Sequence, residues 1–533
     1  MKKTTSYLKS VSADFPASIV VFLVALPLCL GIALGSQAPL FSGLIAGIVG
    51  GIVIGSISGS QLSVSGPAAG LTAIVAAAIT SMSSFEVFLL AVMLGGLLQI
   101  IFGFLKAGII GDYIPYSVIK GMLAAIGLIL ILKQLPHLVG YDANFEGDES
   151  FIQSNKDNTL SGLFSAMRYI TPAAIIIGIV SLLFHIVWDK FTAAKKGFIK
   201  LVPAPLLIVL LGVGINEWLK YSMPAYAIGN EHMVTIPVAS SISEFSSFFS
   251  FPDFSQLGNK EVWITGLTLA LVASLETLLS IEAVDDLDPY KRVTPTDREL
   301  KAQGIGNMIS GFLGGLPITS VIVRSSANVN AGAKTRMSAI YHGVLLLASV
   351  AFFPQILNLI PKSALAAILI YTGFKLAKPA LFKLYYKKGW DQFMPFLITI
   401  LAILFTDLLI GVMIGIGTGL FFVVRSNFRS AVIVVNDQNN YLFRLRKDVS
   451  FLNKPIIKYK LEAVPDNSKV LIDATRADFI DKDVIEVIED FMKHAPLKDI
   501  KVELKRSKIK EHGFNIPFTA PSVAGYASMD YGH

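Results

Sequence analysis

Arg324 stands in a chain that is otherwise mostly apolar, directly after a break in the backbone pattern. A glycine pair and a proline, Gly314-Gly315-Leu316-Pro317, are followed by the hydroxyl-bearing, β-branched run Ile318-Thr319-Ser320-Val321 and then by the arginine. Hydrocarbon satisfies neither an interrupted backbone nor a guanidinium, so this segment must be enclosed by protein or line a cavity. One arginine at the centre of a membrane helix costs about 2.5–3.5 kcal/mol on insertion scales. A cost of that size points to function, and an arginine beside a helix start points to anion binding.

A second break lies upstream. Gln61-Leu62-Ser63-Val64-Ser65-Gly66-Pro67 alternates polar and apolar residues like a short strand, then passes into an Ala-rich helix ending near residue 79. At 1.5 Å per residue that helix is too short to cross a hydrocarbon core of about 30 Å. Half-spanning helices build transporter binding sites. A third polar group, Glu276 in Ala273-Ser274-Leu275-Glu276-Thr277-Leu278, is a carboxylate inside an apolar helix over about 263–281, which is a functional position by default.

Each helix start contributes about half a positive charge, worth roughly 0.3–1 kcal/mol when exposed and about 2 when partly buried. That is small against the dehydration of an oxyanion, so side-chain donors are needed as well. The candidate substrate-binding set is Ser65 and Ala68 at the first half-helix, with Thr319, Ser320, Val321 and Arg324 at the second. Arg324 has an alternative role, bracing its helix against Glu276 or another buried carboxylate. Two helix ends and Arg324 give roughly +2, which an ionised Glu276 lowers to about +1. A protonated or sodium-paired Glu276 does not lower it, so Glu276, with Thr277 beside it, is the candidate cation-coupling site for H+ or Na+.

Composition sets the class of protein. Of 533 residues 53% are hydrophobic and 16% charged, where a soluble chain carries about a quarter charged; this is a polytopic membrane protein in contact with lipid. The net charge of +7 is no nucleic-acid signature, because the basic residues fall mainly in short loops that fix topology. Cys29 is the single cysteine, which excludes a disulfide framework and a thiol metal site and reads as a small buried hydrophobe. Seven histidines are scattered, none beside a cysteine or another histidine. Gly415, Gly417 and Gly419 sit in an apolar helix without a P-loop lysine and read as packing glycines. No enzyme, no metal site and no cofactor are expected. Asp285-Asp286-Leu287-Asp288 lacks the glycine and distal glutamate of a calcium loop and reads as a solvated, partner-facing loop.

About fourteen membrane segments are expected between residues 17 and 430, after a cytoplasmic segment over residues 1–16. The first, about 17–34, carries Pro27 and should kink or break there. The second, about 40–57, spaces Gly43, Gly47, Gly51 and Gly55 on one face for close packing. The two broken segments fall third and tenth. Lys2, Lys3 and Lys9 precede the first segment with no cleavage site. Loops holding Lys190–Lys200, Lys291–Lys301, Lys334–Arg336 and Lys375–Lys388 fall on one side with the N-terminal lysines and Arg425, which places both termini in the cytoplasm. The loop with Asp142, Glu146, Asp148, Glu149 and Asp157 falls outside. A small α/β module over 436–512 is expected from strands at 441–445, 469–473 and 500–504 and a helix over 483–492. Residues 513–533 show no pattern.

Ser65-Gly66-Pro67, Leu275-Glu276, the run Glu299-Leu300-Lys301-Ala302-Gln303-Gly304-Ile305-Gly306-Asn307, Gly314-Gly315-Leu316-Pro317 with Arg324-Ser325, and Gly332-Ala333-Lys334-Thr335 occur in that order. Together they resemble the sulfate permease (SulP) family of anion transporters. The tail, with Leu471-Ile472-Asp473 and Phe479-Ile480-Asp481, resembles a short STAS domain, named for sulfate transporters and anti-sigma-factor antagonists. It departs from the regulatory pattern at Lys482 and Asp483, where a phosphorylatable hydroxyl usually follows, which argues against a phosphoswitch, and its shortness points to a dimerisation or folding role. The resemblance implies an all-α polytopic fold of two inverted seven-span repeats. In it a core domain moves against a gate domain, and half-helices three and ten meet at mid-membrane. It also implies a homodimeric secondary transporter of inorganic oxyanions, sulfate or bicarbonate, in the cell membrane, working by alternating access. Small dicarboxylate transport, a passive channel and an anion-sensing scaffold are the alternatives. Many members carry a glutamine after the proline of the first span; Leu28 stands there in this chain.

Overall fold

The computed structural model describes residues 7–143, 151, 158–193, 202–238, 242–430 and 432–506. Lys2, Lys3, Glu146, Asp148, Glu149, Asp157, Lys195, Lys196, Lys200 and the 513–533 tail lie outside the described residues. The chain divides into two compact units, Met1–Gly419 and Leu420–His533.

The first unit is built of helices around one pair of very short strands. In order they are α1 (Tyr7–Gly35), α2 (Leu40–Val49), β1 (Ser65–Pro67), α3 (Thr72–Ser81), α4 (Phe85–Phe104), α5 (Tyr116–Leu138), α6 (Pro172–Ala193) and α7 (Ala204–Ser222). The second half follows with α8 (Lys260–Leu287), α9 (Thr296–Leu313), β2 (Ile318–Ser320), α10 (Ile322–Asn330), α11 (Met337–Phe352), α12 (Lys362–Leu376), α13 (Trp390–Phe405) and α14 (Leu408–Ser430). Helix α1 runs unbroken through both Pro16 and Pro27, so of the kink or break expected at Pro27 the break does not occur. A π-helical turn, Gly50–Ile54, continues α2. Gly314 ends α9 in the left-handed conformation with φ 91°, which only glycine adopts without strain. That turn is what makes the glycine pair necessary.

Eight helices among the described residues are long and apolar enough to cross a membrane. Helices α11 and α13, the Leu408–Val424 part of α14 and the Ala69–Ser81 stretch containing α3 are shorter but apolar. Helix α9 opens with charged residues, and α10 buries Arg324, Ser325, Ser326 and Asn328 completely. Length and apolarity therefore do not by themselves yield the expected fourteen spans, because two of those segments are sheathed in protein rather than lipid.

Packing separates the helices into two groups. Helix α4 lies against α8 and α9, and α1 against α2, α10 and α11; α5 lies against α12 and α13, and α6 against α7 and α12. Gly411 of α14 abuts Ile403 of α13, and Gly415 abuts Val118 of α5. Each half of the chain thus gives four segments to one group and three to the other. The glycine face of α2 packs as expected, with Gly47 against Cys29 and Leu346, and Gly51 against Gly343. Asp285, Asp286 and Asp288 are not a solvated loop. The first two close α8, where Asp285 accepts from Thr294 and Asp286 from Lys120 and Tyr116 of α5, while Asp288 accepts from Arg292. Desolvation of three neighbouring carboxylates is offset by these donors.

The second unit holds a four-stranded sheet in the order β3 (Val432–Asp437), β4 (Asn440–Val449), β5 (Lys469–Ile480), β6 (Lys501–Lys505). β3 and β4 form an antiparallel hairpin, while β4–β5 and β5–β6 are parallel. Helices α15 (Lys454–Glu462) and α16 (Lys482–His494) provide the crossovers. Phe443, Leu445, Ile472 and Ala474 from the sheet share one core with Ile457, Leu461, Val484 and Ile488 from these helices. The sheet begins at Val432, ahead of the expected 436, because the apolar end of the membrane segment masks the first strand.

Helices α4 and α9 approach so closely that a Cβ on Gly304 would stand 2.5 Å from the Gly96 carbonyl oxygen and 2.7 Å from Ile100. Gly304→Val is expected to lower stability by about 1–3 kcal/mol or to prevent assembly. Gly258→Ala, with nothing within 4 Å, should leave the melting temperature in detergent unchanged, and thermal unfolding of both variants checks this.

Candidate anion site at two helix starts

The two interrupted segments are joined to each other. β1 and β2 pair antiparallel, with Ser65 opposite Ser320, Gly66 opposite Thr319 and Pro67 opposite Ile318. Val321 N–H extends the ladder to the Val64 carbonyl at 3.0 Å, and Val64 N–H donates to Ser325 Oγ at 2.9 Å. Beyond the strands Ala68 and Val321 are extended, and helical backbone begins at Ala69–Leu71 (a 3-10 turn leading into α3) and at Ile322. No side chain caps either start, so their first N–H groups remain donors without a capping side chain.

A polar stripe on α9 fixes this strand pair. Glu299, Gln303 and Asn307 recur every fourth residue, hence on one helix face. Asn307 clamps β2 from both sides: its Oδ1 accepts from Ile318 N–H at 2.6 Å and its Nδ2 donates to the Ile318 carbonyl at 2.9 Å. The same Nδ2 reaches Gln99 Oε1 of α4 at 2.7 Å, and Gln99 donates on to Ser274. Gln303 Nε2 donates to Ser65 Oγ at 2.7 Å and to Glu299 at 3.0 Å.

The predicted residues converge, but their roles divide. Ser65, Thr319 and Ser320 lie side by side on the ladder and are buried. Their hydroxyls also bond within the fold. That of Ser65 accepts from Gln303, that of Ser320 bonds Ser63 at 2.6 Å, and Thr319 Oγ1 donates to the Ser320 carbonyl at 3.3 Å. Thr277, expected beside a coupling cation, accepts from Ser320 N–H at 3.3 Å and so holds β2. Glu276 lies against the turn that opens α3; a Cβ on Gly70 would be 3.1 Å from its Oε1. A carboxylate therefore stands at one of the two helix starts.

Arg324 is fully buried in the first turns of α10. Its Nη2 donates to Cys29 Sγ at 3.3 Å, while Nε and Nη1 have no hydrogen-bond partner among the described residues. The hydrogen bond goes to a thiol rather than a carboxylate, so the alternative of bracing against Glu276 gains no support from it. The guanidinium lies on Gly66, where any Cβ would overlap Nη1. Sequence reasoning missed Asn307, Gln303, Gln99, Gly66 and Cys29 as parts of this site. The i, i+4 polar stripe of α9 was the available signal for two of them.

Two cavities lie along α1, toward opposite ends. One of about 320 Å³ is lined by Pro16 and Val20 of α1, Ala327 of α10, and Asp189 and Lys375 from the other helix group. The other, about 220 Å³, is lined by Pro27, Gly31, Leu34, Asp142 and Lys362. At its rim Asp142 takes Nδ1 of His137 on one oxygen at 2.5 Å and Nδ1 of His232 on the other at 2.6 Å. Burial alone would raise Asp142, but the two imidazole bonds override it and hold the carboxyl below the usual carboxylate range. The bond to Asp142 raises His232 above its ordinary value, against the opposing effect of burial.

Two expectations follow from this geometry. Asn307→Ala leaves the Ile318 N–H and carbonyl without their partner, a loss of about 1–3 kcal/mol for each group, and should lower the melting temperature together with transport. The His232 contribution to stability is complete below the unfolded histidine value of 6.5 and is lost as pH rises through the raised folded value. The Asp142 contribution is complete above 3.8 and is lost as pH falls through the depressed value. The melting temperature should therefore fall as pH rises above the histidine range, and this slope should flatten in His232→Gln.

The sulfate permease family model matches residues 11–399. A putative sulfate transporter of Bacillus subtilis, YvdB, is 27% identical over 83% of this chain and 79% of its own length. The bicarbonate transporter BicA of Picosynechococcus is 23% identical over 78% of this chain and 70% of its own. Among solved structures, that of SLC26A9 superposes with a TM-score of 0.63 at 16% identity, over 94% of this chain and 85% of the other. The transmembrane domain of a cyanobacterial BicA gives 0.52 at 20% identity, over 78% and 98%. At such identities these two structures speak to the fold, which is the polytopic helical fold expected. The family match covers most of the chain, and its members are transporters rather than enzymes: this chain belongs to the sulfate permease family of membrane anion transporters.

Proposed function

We propose that this protein is a secondary active transporter of inorganic oxyanions, sulfate or bicarbonate, in the cell membrane, with both termini cytoplasmic. The observation that carries the reading is the pairing of β1 with β2, which brings two uncapped helix starts together beside one buried arginine. The substrate class is taken from the chemistry of that site and from relatives named as sulfate and bicarbonate transporters.

The anion lies between the starts at Ala68 and Val321 and receives backbone N–H donors from both. Arg324 acts chiefly through its charge, since its guanidinium is buried and turned toward Cys29. The hydroxyls of Ser65, Thr319 and Ser320 hold the strand pair, and backbone N–H groups do most of the coordination. Alternating access is supported by the two cavities along α1, each lined by both helix groups, with Arg324 on neither.

Glu276 couples a cation to the anion. Its carboxyl lies beside the α3 start, so when ionised it opposes the anion through the same helix end that attracts it. A proton, or a sodium ion bound there, removes that opposition, and anion and cation then bind cooperatively. Thr277 positions β2 next to this carboxyl. The short α/β unit acts as a STAS-like dimerisation module in a homodimer.

Flux into proteoliposomes with labelled sulfate, bicarbonate and fumarate, under imposed sodium and proton gradients, tests the reading. Concentrative uptake of sulfate or bicarbonate is expected; flux that only equilibrates would make the protein a channel, and a preference for fumarate would make it a dicarboxylate transporter. Arg324→Gln should cut uptake about tenfold or more, a charge-assisted contact being worth about 1.5–3 kcal/mol. Glu276→Gln should transport without responding to either cation gradient, and retained gradient-driven accumulation in that variant would remove Glu276 from the coupling role.

A further inference from the structure

We propose that Cys29 is a positioning residue of the anion site, which aims the Arg324 guanidinium while leaving its positive charge uncancelled. The inference rests on the reading that Arg324 supplies positive potential to the bound anion.

Cys29 lies on α1, two residues past Pro27, and is completely buried; it is the single cysteine of the chain. Its Sγ accepts from Arg324 Nη2 at 3.3 Å, while Nε and Nη1 of that guanidinium have no partner among the described residues. The thiol thus provides the hydrogen bond that orients the group. His342 of α11 is also fully buried, and neither of its ring nitrogens has a partner among the described residues.

Three glycines shape the recess. A Cβ on Gly66 would overlap Nη1, one on Gly43 would overlap the Cys29 carbonyl, and one on Gly47 would stand 2.6 Å from Sγ. Helix α2 therefore presses α1 at Cys29 from one side, and β1 covers the guanidinium from another.

The chemistry of the acceptor matters. A carboxylate at position 29 would bind the guanidinium more strongly but would cancel the charge that an anion needs. An alanine would leave the fork unanchored. A thiol is a weak acceptor with no formal charge to set against Arg324, so it fixes direction without removing potential.

Sulfate and bicarbonate uptake by the full-length protein in proteoliposomes, with the melting temperature recorded for each variant, tests this. Cys29→Ala should raise the KM for the transported anion about fivefold or more, and Cys29→Ser, which restores an acceptor, should recover most of that loss. Cys29→Asn and Cys29→Asp have nearly the same shape and differ in charge; the Asn variant should transport and the Asp variant should lose anion uptake by tenfold or more relative to it. Equal KM values for the Ala and Ser variants, or equal uptake by the Asn and Asp variants, would overturn the positioning role and leave Cys29 as packing. An unaltered KM in Arg324→Gln would instead overturn the underlying reading of the arginine. An altered Arg324→Gln with an unaltered Cys29→Ala would overturn this inference alone.

Discussion

Backbone N–H and C=O groups inside a membrane must find partners within the protein, because lipid offers none. In this chain two segments leave helical geometry at depth, and each has a row of such groups to satisfy. They satisfy one another, through a strand pair of three residues on each side. That pairing is what the rest of the site depends on. It brings residues some 250 positions apart into register, and it aims two helix starts at a common region where their partial positive charges add. An isolated two-stranded ladder is marginal even in water, so this one needs external support. Asn307 supplies it to the β2 backbone and Gln303 to the β1 side chain, both from α9.

The electrostatics follow from that arrangement. Arg324 is buried with its hydrogen bond to a thiol, an arrangement that burial alone makes unfavourable. Glu276 stands at the opposite helix start, which sets a carboxylate and a guanidinium at the two ends of the strand pair. The hydroxyls expected as ligands also bond within the scaffold, and uncapped backbone N–H groups and two Arg324 nitrogens without a partner among the described residues lie beside them.

Helices of the first group close on one another through glycine, with α4 against α9 and α2 against α1 and α11 meeting nearly backbone to backbone. Such contacts favour a rigid body, since no side chain intervenes to repack. The two groups meet in part across cavities and through the contact of Asp286 with Lys120 and Tyr116. Packing is thus nearly backbone to backbone within the first group, while cavities lie along its boundary with the second.

What the sequence by itself determined was everything that local pattern and solvent class control. The hydropathy and charge specified a polytopic membrane chain, the Gly-Pro and Gly-Gly-Leu-Pro breaks specified two half-helices, their flanking residues named Ser65, Thr319, Ser320 and Arg324, and a lone carboxylate in an apolar helix named Glu276. These follow from backbone and burial costs that act within a few residues. Tertiary structure alone decided what each polar atom meets. Cys29 reads as a small hydrophobe until α1 sets it against Arg324, and that Thr277 also accepts a backbone N–H of β2 is not written in its own segment. Whether Pro27 breaks α1 or leaves it continuous was likewise illegible, because the neighbours that stabilise a proline in a helix come from distant parts of the chain. Hydrogen-bond partners are chosen by proximity in space, and a linear pattern records only the groups in need of them.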